Sequence, residues 1–234
     1  MGGTGLTDIA LEARAKSPSQ SQRAVQQLRE MIITNQLPAG SNVLEPELAQ
    51  MLNMSRTPIR EAAIILEAQG LVEIKPRRGI RIVPLSPEDM EEIYSILTEL
   101  ESLAAYKAAE TGISATDMAD MQRLIDEMDE ALQSDDRKRW AIADGNFHRK
   151  LVSLANNRRL QSIVATYSDQ VHRARMMTLF IRPAPHQSNT DHRKLVEAIA
   201  ARDPEAARNI HHAHRKGAKD LMIQLIKDLG FSSV

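Results

Sequence analysis

After two prolines at positions 84 and 87, apolar residues recur every three or four positions in six successive stretches that reach about residue 229. This spacing places the apolar side chains on one face of an α-helix. Polar segments or prolines separate the stretches, so each stretch is expected to be a separate helix. Six amphipathic helices can bury their apolar faces against one another as a bundle. We therefore predict an antiparallel all-α bundle of about six helices over residues 88–229.

The residues before this bundle follow a different pattern. Three short helical stretches precede two β-like runs, Leu71–Ile74 and Ile80–Val83. In the third helix, Ser55 is a suitable N-cap, Pro58 falls in the first turn and Gly70 ends the helix. Three helices followed by a β-hairpin indicate a winged helix-turn-helix, which is a DNA-binding unit.

The chain is thus expected to be mainly α and to have four parts. No apolar run approaches the roughly 20 residues that a membrane helix needs, and the first residues lack the features of a signal peptide. We expect a cytoplasmic protein without a membrane partner. The predicted parts are a flexible N-terminal arm (1–20), the winged helix-turn-helix (21–84), a linker (85–87) and the helical bundle (88–229).

The net charge of −1 hides an uneven distribution. Residues 1–87 hold ten Lys and Arg against eight Asp and Glu, whereas residues 88–234 hold twenty against twenty-three. Within residues 55–81, six basic side chains stand against three acidic ones. A local positive charge on an otherwise neutral protein is expected where a chain contacts DNA.

The start of the third helix carries the main candidates for DNA contact. Arg56 and Arg60 are four positions apart, so they share one face at the end of the helix that such a unit places in the major groove. Arginine can pair with guanine or bind phosphate, and hydroxyl groups can bind phosphate. A basic hairpin tip can reach the minor groove or the backbone. The candidates are Ser55, Arg56, Thr57, Arg60, Arg77 and Arg78.

These residues resemble a known family. The segment Ser-Arg-Thr-Pro-Ile-Arg-Glu (55–61), with Arg-Arg-Gly-Ile-Arg-Ile-Val (77–83), is similar to the winged helix-turn-helix of the GntR family of bacterial transcription regulators. The resemblance covers about residues 20–84. It implies that Arg56, Thr57 and Arg60 contact the operator and that Gly79 belongs to the wing.

Within the bundle, three histidines and one aspartate can converge. Asp144 and His148 are one helical turn apart on the apolar side of their helix. His192 lies in the expected first turn of the fifth bundle helix, and His214 lies near the centre of the apolar stripe of the last helix, with His211 at its edge. Such ligands suit Zn²⁺, Ni²⁺, Mn²⁺ or Fe²⁺. Histidines on an apolar stripe can also be ordinary hydrogen-bonded core residues.

The bundle also resembles a known domain, over about residues 88–228. Segments 144–148, 156–160, 191–199 and 201–208 look like the FCD effector domain of the FadR subfamily. In many members, an Asp and three His bind a metal beside a small carboxylate effector. The ligand set that this resemblance implies is Asp144, His148, His192 and His214, with zinc as the first choice and Ni, Mn or Fe as alternatives. The candidates for effector binding are Arg149, Arg173 and Arg175.

Two positions depart from the family patterns. Some members carry a further DNA-contacting arginine at the start of the second helix, where this chain has Glu45–Pro46–Glu47, so the half-site preference is not implied. Many members carry an arginine on the first bundle helix, where this chain has Leu97. A more apolar pocket is expected there, which would suit a larger or aromatic acid or some other ligand.

The leading hypothesis is a homodimeric transcription regulator, a repressor and not an enzyme. It would bind a pseudo-palindromic operator in double-stranded DNA and respond to a small organic acid. One alternative is a metal-dependent hydrolase with an appended DNA-binding unit, although no carboxylate besides Asp144 is evidently placed as a general base. The other alternative is a constitutive DNA binder with a purely structural metal.

Overall fold

The computed structural model describes residues 18–228, and these residues form a mainly helical chain with one small antiparallel sheet. The predicted fold class is confirmed. The helices are α1 (Gln20–Ile33), α2 (Glu45–Met51), α3 (Arg56–Ala68), α4 (Pro87–Thr111), α5 (Ala115–Gln133), α6 (Arg137–Leu154), α7 (Arg158–Thr178), α8 (His186–Ala200) and α9 (Pro204–Asp228). The strands are β1 (Asn42–Val43), β2 (Val72–Lys75) and β3 (Gly79–Ile82).

The helices begin where side chains can bind the first backbone amides. Ser19 caps α1 in a capping box with Gln22, and Ser86 caps α4 by accepting a hydrogen bond from the Asp89 amide at 3.0 Å. Residues 1–17 of the predicted N-terminal arm lie outside the described residues, and the last residue assigned to that arm, Gln20, already belongs to α1.

The first three helices pack against a three-stranded sheet rather than a two-stranded hairpin. The strand order is β1-β3-β2. Ile80 of the central strand β3 lies opposite Val43 of β1 on one side and opposite Ile74 of β2 on the other. Strand β1 was not expected from the sequence, because two residues carry no detectable alternation of apolar and polar side chains. The apolar core of this part includes Leu28, Ile32, Leu48, Ile59, Leu66, Leu71 and Ile80.

The six remaining helices form the bundle. Helices α4 and α9 pack antiparallel, because Glu91 pairs with Lys219 while Glu99, eight positions later, pairs with Arg208. Two apolar clusters fill the bundle, one centred on α5, α6 and α8 and the other between α4, α7 and α9. No helix within residues 18–228 combines the length and the apolar character required to cross a membrane.

The start of α8 differs from the sequence-based expectation. Helix α8 begins at His186 rather than near Ser188, so His192 lies in the second turn and not the first. Helix α9 extends to Asp228, and residue 229, where the bundle was expected to end, lies outside the described residues.

Helix α7 contacts the first part of the chain with polar side chains. Asp169 pairs with Arg29 of α1 at 2.6 Å, and Gln170 donates to the backbone oxygen of Gln69 at 2.8 Å. Arg173 donates to the backbone oxygen of Val83, just after β3. One helix of the bundle therefore holds the end of α1, the end of α3 and the segment after the sheet.

Candidate functional sites

The start of α3 presents the predicted DNA-contacting side chains to solvent. Ser55, Arg56, Thr57 and Arg60 are all exposed, whereas Pro58 and Ile59 between them are buried. Ser55 occupies the N-cap position, but its side chain accepts no cap hydrogen bond. Exposed hydroxyl and guanidinium groups at a helix N-terminus are suited to phosphate and base contacts.

Arg60 has a neighbour of opposite charge. The carboxylate of Glu45 at the start of α2 lies 3.8 Å from Arg60 Nε, and the Arg60 side chain is 74% exposed. An exposed ion pair of this length contributes little free energy. Arg60 can therefore leave Glu45 when a stronger acceptor such as a phosphate or a guanine approaches.

The turn between β2 and β3 forms the tip of the wing. Arg77 and Arg78 are exposed there, and Arg77 adopts a left-handed backbone conformation with φ of 64°. Gly79 has φ of +84°, and a Cβ atom at this position would lie 2.5 Å from the backbone oxygen of Val43. Glycine is thus needed for β1 to pair with β3 at the base of the basic tip.

The predicted histidine cluster comes together in the interior of the bundle. Ring nitrogens of His148 on α6, His192 on α8 and His214 on α9 lie within 4.8 Å of one another. Asp144 Oδ1 lies 3.8 Å from His148 Nε2 and 3.7 Å from His192 Nε2. The four predicted metal ligands, Asp144, His148, His192 and His214, therefore lie together in one cluster.

The electrostatics of this cluster fit a divalent cation. Burial lowers the pKa of His192 well below its usual value and also lowers that of His214, so both imidazoles are neutral at pH 7. Burial alone would raise the pKa of Asp144, but the opposing effect of Arg175 and the nearby histidines is larger. The pKa therefore lies below its usual value, and Asp144 is ionised. Neutral imidazole and ionised carboxylate are the forms that bind metal.

Carboxylates outside the cluster orient two of the imidazoles. Glu101 Oε2 accepts from His148 Nδ1 at 2.9 Å, and Asp191 Oδ2 accepts from His214 Nδ1 at 3.4 Å. Within residues 18–228, His148 Nε2 and both nitrogens of His192 are buried without a hydrogen-bond partner. Buried lone pairs without partners are costly, and a carboxylate on the far nitrogen is typical of metal-binding histidine. The residues present fit a metal held by nitrogen and oxygen.

Glu101 was missed as a functional residue. It lies on α4, its Oε2 also accepts from His211 Nε2 at 3.1 Å, and its Oε1 lies 3.4 Å from Arg215 Nη2. Burial would raise its pKa, but Arg215 and His148 hold that pKa well below the usual range. A signal for it was present, because Glu101 follows Leu97 by one helical turn on an apolar stripe, where a charge needs a partner.

The last helix also buries more polar groups than expected. His211, predicted at the edge of the apolar stripe, is buried, and so is Arg215 one turn later. Burial lowers the pKa of His211 to about 3 despite its hydrogen bond to Glu101. The spacing Ala207–His211–Arg215 is the signal that could have placed both residues inside.

A cavity of about 560 Å³ adjoins the histidine cluster, and α4, α6, α7 and α9 form most of its wall. This volume is within the usual range for small-molecule sites. Arg29 and Gln69 from the first part of the chain lie at one side of it. Its wall also includes Leu97, Glu101, His148, Arg149, Val152, Val164, Val171, His172, Arg175 and Arg215.

The three arginines indicated as effector-binding lie in different surroundings. Arg175 lines the cavity and pairs with Asp144 at 2.9 Å. Arg149 lines the cavity, is exposed and donates to Asn146. Arg173 is not among the residues that line the cavity, and it binds Val83 instead. Burial lowers the pKa of Arg173 to about 10.

Comparison with known proteins identifies two family models in the chain. Residues 20–82 match the model of bacterial regulatory proteins of the gntR family, and residues 92–217 match the FCD domain. The second match alone spans more than half of the chain, and together the two matches include α1–α3, the sheet and the histidine cluster.

Relatives over most of the chain are described as helix-turn-helix regulators. An HTH-type transcriptional regulator in the TAR-I ttuE-ttuC' intergenic region of Agrobacterium vitis is 39% identical over 64% of this chain and 88% of its own length. A probable D-xylose utilization operon transcriptional repressor of Paenarthrobacter nicotinovorans is 31% identical over 85% and 92%. The solved structure of McbR/YncC from E. coli has the same fold, with a TM-score of 0.77 at 20% identity over 88% of this chain and 98% of that one.

Proposed function

Because the chain belongs to the GntR family of bacterial regulatory proteins and carries an FCD domain, we propose that it is a repressor whose operator affinity responds to a small organic acid. Like its relatives, the chain is a transcriptional regulator and not an enzyme, so the hydrolase alternative is set aside. The relative from Paenarthrobacter is named a repressor, which supports the same direction of control here.

The DNA-binding part is proposed to end near residues 84–87, where the sheet is complete and α4 begins. Two copies in a homodimer would place two α3 helices on a pseudo-palindromic site in double-stranded DNA, in the cytoplasm. The exposure of the α3 side chains and of the wing tip supports these roles. The proposed DNA-binding residues are Ser55, Arg56, Thr57, Arg60, Arg77, Arg78 and Gly79.

Asp144, His148, His192 and His214 are proposed to hold one divalent metal ion, zinc in the first place and Ni, Mn or Fe as alternatives. Their donor atoms are nitrogen and oxygen, and the ligand types suit all four metals. When bound, such a metal would supply a positive charge that attracts an acidic ligand. Glu101 would orient His148 toward it through the 2.9 Å hydrogen bond.

The effector is proposed to occupy the cavity beside the histidine cluster. Arg149 and Arg175 line this cavity and remain candidates for contact with its carboxylate. Arg173 is better placed to transmit the effect, because it joins α7 to the segment after the sheet. A ligand that contacts α7 from the cavity side changes operator affinity only if it binds the DNA-bound and DNA-free arrangements unequally.

One observation carries this function. Within residues 18–228, imidazole nitrogens of His148 and His192 are buried without a partner, beside a cavity that also reaches the DNA-binding part. The test begins with selection of a binding site from random double-stranded DNA by the purified full-length protein. Gel-shift titrations with the selected site then compare wild type, Arg60→Ala and Arg208→Ala. Arg208 is a matched control, because it is a half-exposed arginine on α9 that pairs with Glu99 of α4.

We expect Arg60→Ala to weaken specific binding by about tenfold or more, since a bidentate arginine contributes about 1–3 kcal/mol of discrimination. Arg208→Ala should bind as wild type does, and both variants should sediment as dimers. Unchanged binding by Arg60→Ala would exclude the proposed role of α3. Addition of zinc and a panel of organic acids should release the operator. Retention of the operator under every such condition would favour a constitutive binder with a structural metal.

A further inference from the structure

Arg215 is a buried arginine in the wall of the cavity, and two of its hydrogen-bond donor atoms have no acceptor within residues 18–228. Its side chain is only 2% exposed, and its guanidinium lies 4.8 Å from the ring centre of Tyr94. Within the described part of the chain, Nε and Nη2 are buried and make no hydrogen bond. Glu101 lies 3.4 Å from Nη2 but is not aligned to accept from it. Buried donors on a charged group are costly to leave without acceptors.

The other arginines of the cavity wall already have partners. Arg175 pairs with Asp144 at 2.9 Å, Arg29 pairs with Asp169 at 2.6 Å, and the exposed Arg149 donates to Asn146. Arg29 is only partly buried, and its Nε lies 2.6 Å from Asp169 although the pair is not aligned as a hydrogen bond. Arg215 differs from these three, because its side chain is 2% exposed and two of its buried donors have no acceptor within residues 18–228. An anionic oxygen of a ligand is the acceptor that a guanidinium fork binds best.

The charges around the cavity favour an anion. Four arginines line it, against the carboxylates of Glu101 and Asp169. When Asp144, the partner of Arg175, is added to these two carboxylates, the four arginines still leave an excess of positive charge. The oxygens of Glu101 are shared among His148, His211 and Arg215, so this one carboxylate cannot satisfy the guanidinium alone.

The apolar part of the wall limits how many charges a ligand can carry. Leu97 on α4, Val152 on α6, and Val164 and Val171 on α7 face the same cavity as Arg215. A second carboxylate placed against these side chains would be desolvated without compensation. The volume of about 560 Å³ leaves room for a body larger than that of a two- or three-carbon acid.

We propose that Arg215 is the residue that binds the carboxylate of the effector and that the effector is a monocarboxylate with a branched or aromatic apolar body. This inference rests on the proposed function, in that the cavity is taken to be the effector site. Leu97 and the three valines contact the apolar body, and the ring of Tyr94 holds the guanidinium in place from behind.

The test uses the zinc-loaded full-length protein and calorimetric titration with benzoate, phenylacetate, 3-methylbutanoate, succinate and the neutral isostere benzamide. Three variants are compared, Arg215→Met, Arg215→Lys and Arg208→Met. Arg208 lies on the same helix outside the cavity wall and serves as the matched control. Because Arg215→Met leaves the buried Glu101 without its cation, Arg215→Lys provides a variant that keeps the charge and loses only the planar fork.

We expect the apolar monocarboxylates to bind wild type, with succinate and benzamide weaker by about tenfold or more. Arg215→Met should lose about tenfold to hundredfold in affinity for the acids, as expected for loss of a charged hydrogen bond. Arg215→Lys should lose less, and Arg208→Met should stay within about twofold of wild type. The inference would be overturned if Arg215→Lys and Arg215→Met bound the acids with the same affinity as wild type. A preference for succinate or benzamide, or the absence of binding by every acid, would also overturn it.

Operator binding separates this inference from the proposed function. Without acid, all three variants should bind the selected DNA site as wild type does. If the acids release the operator equally well from Arg215→Lys, Arg215→Met and wild type, effector control stands and the role of Arg215 falls. If the acids bind through Arg215 but leave operator affinity unchanged, the role of Arg215 stands and effector control falls.

Discussion

At the scale of single residues, His192 illustrates why a metal is expected. Both of its ring nitrogens are buried without a partner in the described part of the chain, and the ring stacks on Phe147 at 4.1 Å. A ring held this way cannot turn to find a protein partner at low cost, because close-packed interiors resist rotation. Its neutral form is favoured by burial, which lowers its pKa. These are the conditions under which a histidine binds a cation.

His192→Ala should therefore strip the protein of its metal. We expect wild type to keep close to one metal ion per chain after dialysis and the variant to keep much less, measured by elemental analysis with zinc as the main signal. The control is His212→Ala, which removes a half-exposed histidine on α9 that pairs with Glu99 instead. Equal metal content in His192→Ala and His212→Ala would refute the site.

The buried histidines also make stability depend on pH in the metal-free protein. Burial lowers the pKa of His211 to about 3, and burial together with Arg175 and Arg149 lowers that of His172 to about 4. The unfolded chain binds protons on these rings below pH 6.5, whereas the folded chain does not. Stability is therefore complete above pH 6.5 and falls as the pH drops below it.

At pH 5.5, each such histidine should cost about 1.4 kcal/mol relative to its contribution above pH 7. His211 and His172 together contribute a loss of about 3 kcal/mol in the free energy of unfolding. His192 and His214, whose pKa values burial also lowers, add to this loss. The loss is measured by urea titration of the metal-stripped protein at both pH values. His211→Gln should recover about 1.4 kcal/mol of that loss, and His212→Gln should recover none. A free energy that is flat between pH 7.5 and 5.5 would contradict the assignment of neutral buried rings.

Sequence reasoning found part of this cluster and missed the rest for a physical reason. Asp144, His148, His192 and His214 are identifiable because helical phasing directs each toward the bundle interior. Glu101 on α4 accepts a hydrogen bond from His211 and lies 3.4 Å from Arg215, both on α9. Residue phasing within one helix cannot show such pairing, because it depends on how α4 and α9 are aligned.

At the scale of elements, helices were predictable and the short strand was not. Each bundle helix extends over several turns of apolar spacing, so its existence is fixed by the residues it contains. Strand β1 has two residues and exists because Asn42 and Val43 pair with Arg81 and Ile80. Its hydrogen bonds come from a partner about forty positions away, so local sequence carries no sign of it.

The wing provides a matched test of this pairing, because two glycines share a backbone conformation and differ in their surroundings. Gly79 has φ of +84° and Gly40 has φ of +77°. A Cβ at Gly79 would lie 2.5 Å from the Val43 oxygen, whereas a Cβ at Gly40 meets nothing within 4 Å. Both alanine variants therefore carry the left-handed strain of about 1 kcal/mol, but one of them also displaces a strand.

Gly40→Ala should lower the free energy of unfolding by about 1 kcal/mol and leave operator binding nearly unchanged. Gly79→Ala should cost about 2 kcal/mol or more, and it should weaken operator binding because Arg77 and Arg78 no longer lie on an intact sheet. Urea unfolding and gel-shift titration of the two variants measure both effects. Similar costs for the two alanines would mean that β1 does not hold the wing in place.

At the scale of the whole molecule, α7 serves both parts of the chain. His172 and Arg175 on this helix line the cavity, Gln170 and Arg173 contact the DNA-binding part, and Asp169 does both. A change at the cavity face of α7 can reach the other face through a rigid helix. Interfaces of a few polar contacts allow relative motion by default, so these contacts are expected to set the orientation of the DNA-binding part.

This arrangement predicts that Arg29→Gln combined with Arg173→Met releases the DNA-binding part without unfolding it. The chain has no cysteine, so cysteines placed at the exposed Gln27 on α1 and Gln122 on α5 can be spin-labelled uniquely. Pulsed electron resonance on labelled chains diluted with unlabelled ones measures the distance within one chain. We expect a single narrow distance distribution in the parent protein and a broad one when Arg29 and Arg173 are both replaced.

Arg23→Gln combined with Arg159→Gln is the matched control, because both side chains are exposed arginines on the same two helices, α1 and α7. This pair should keep the narrow distribution. The released variant should also show a smaller change in operator affinity when zinc is added, since the coupling between the two sites is carried by these contacts. If its distance distribution stays narrow, the orientation must be fixed by other contacts, such as the short segment from Val83 to Ser86, in which Leu85 is buried.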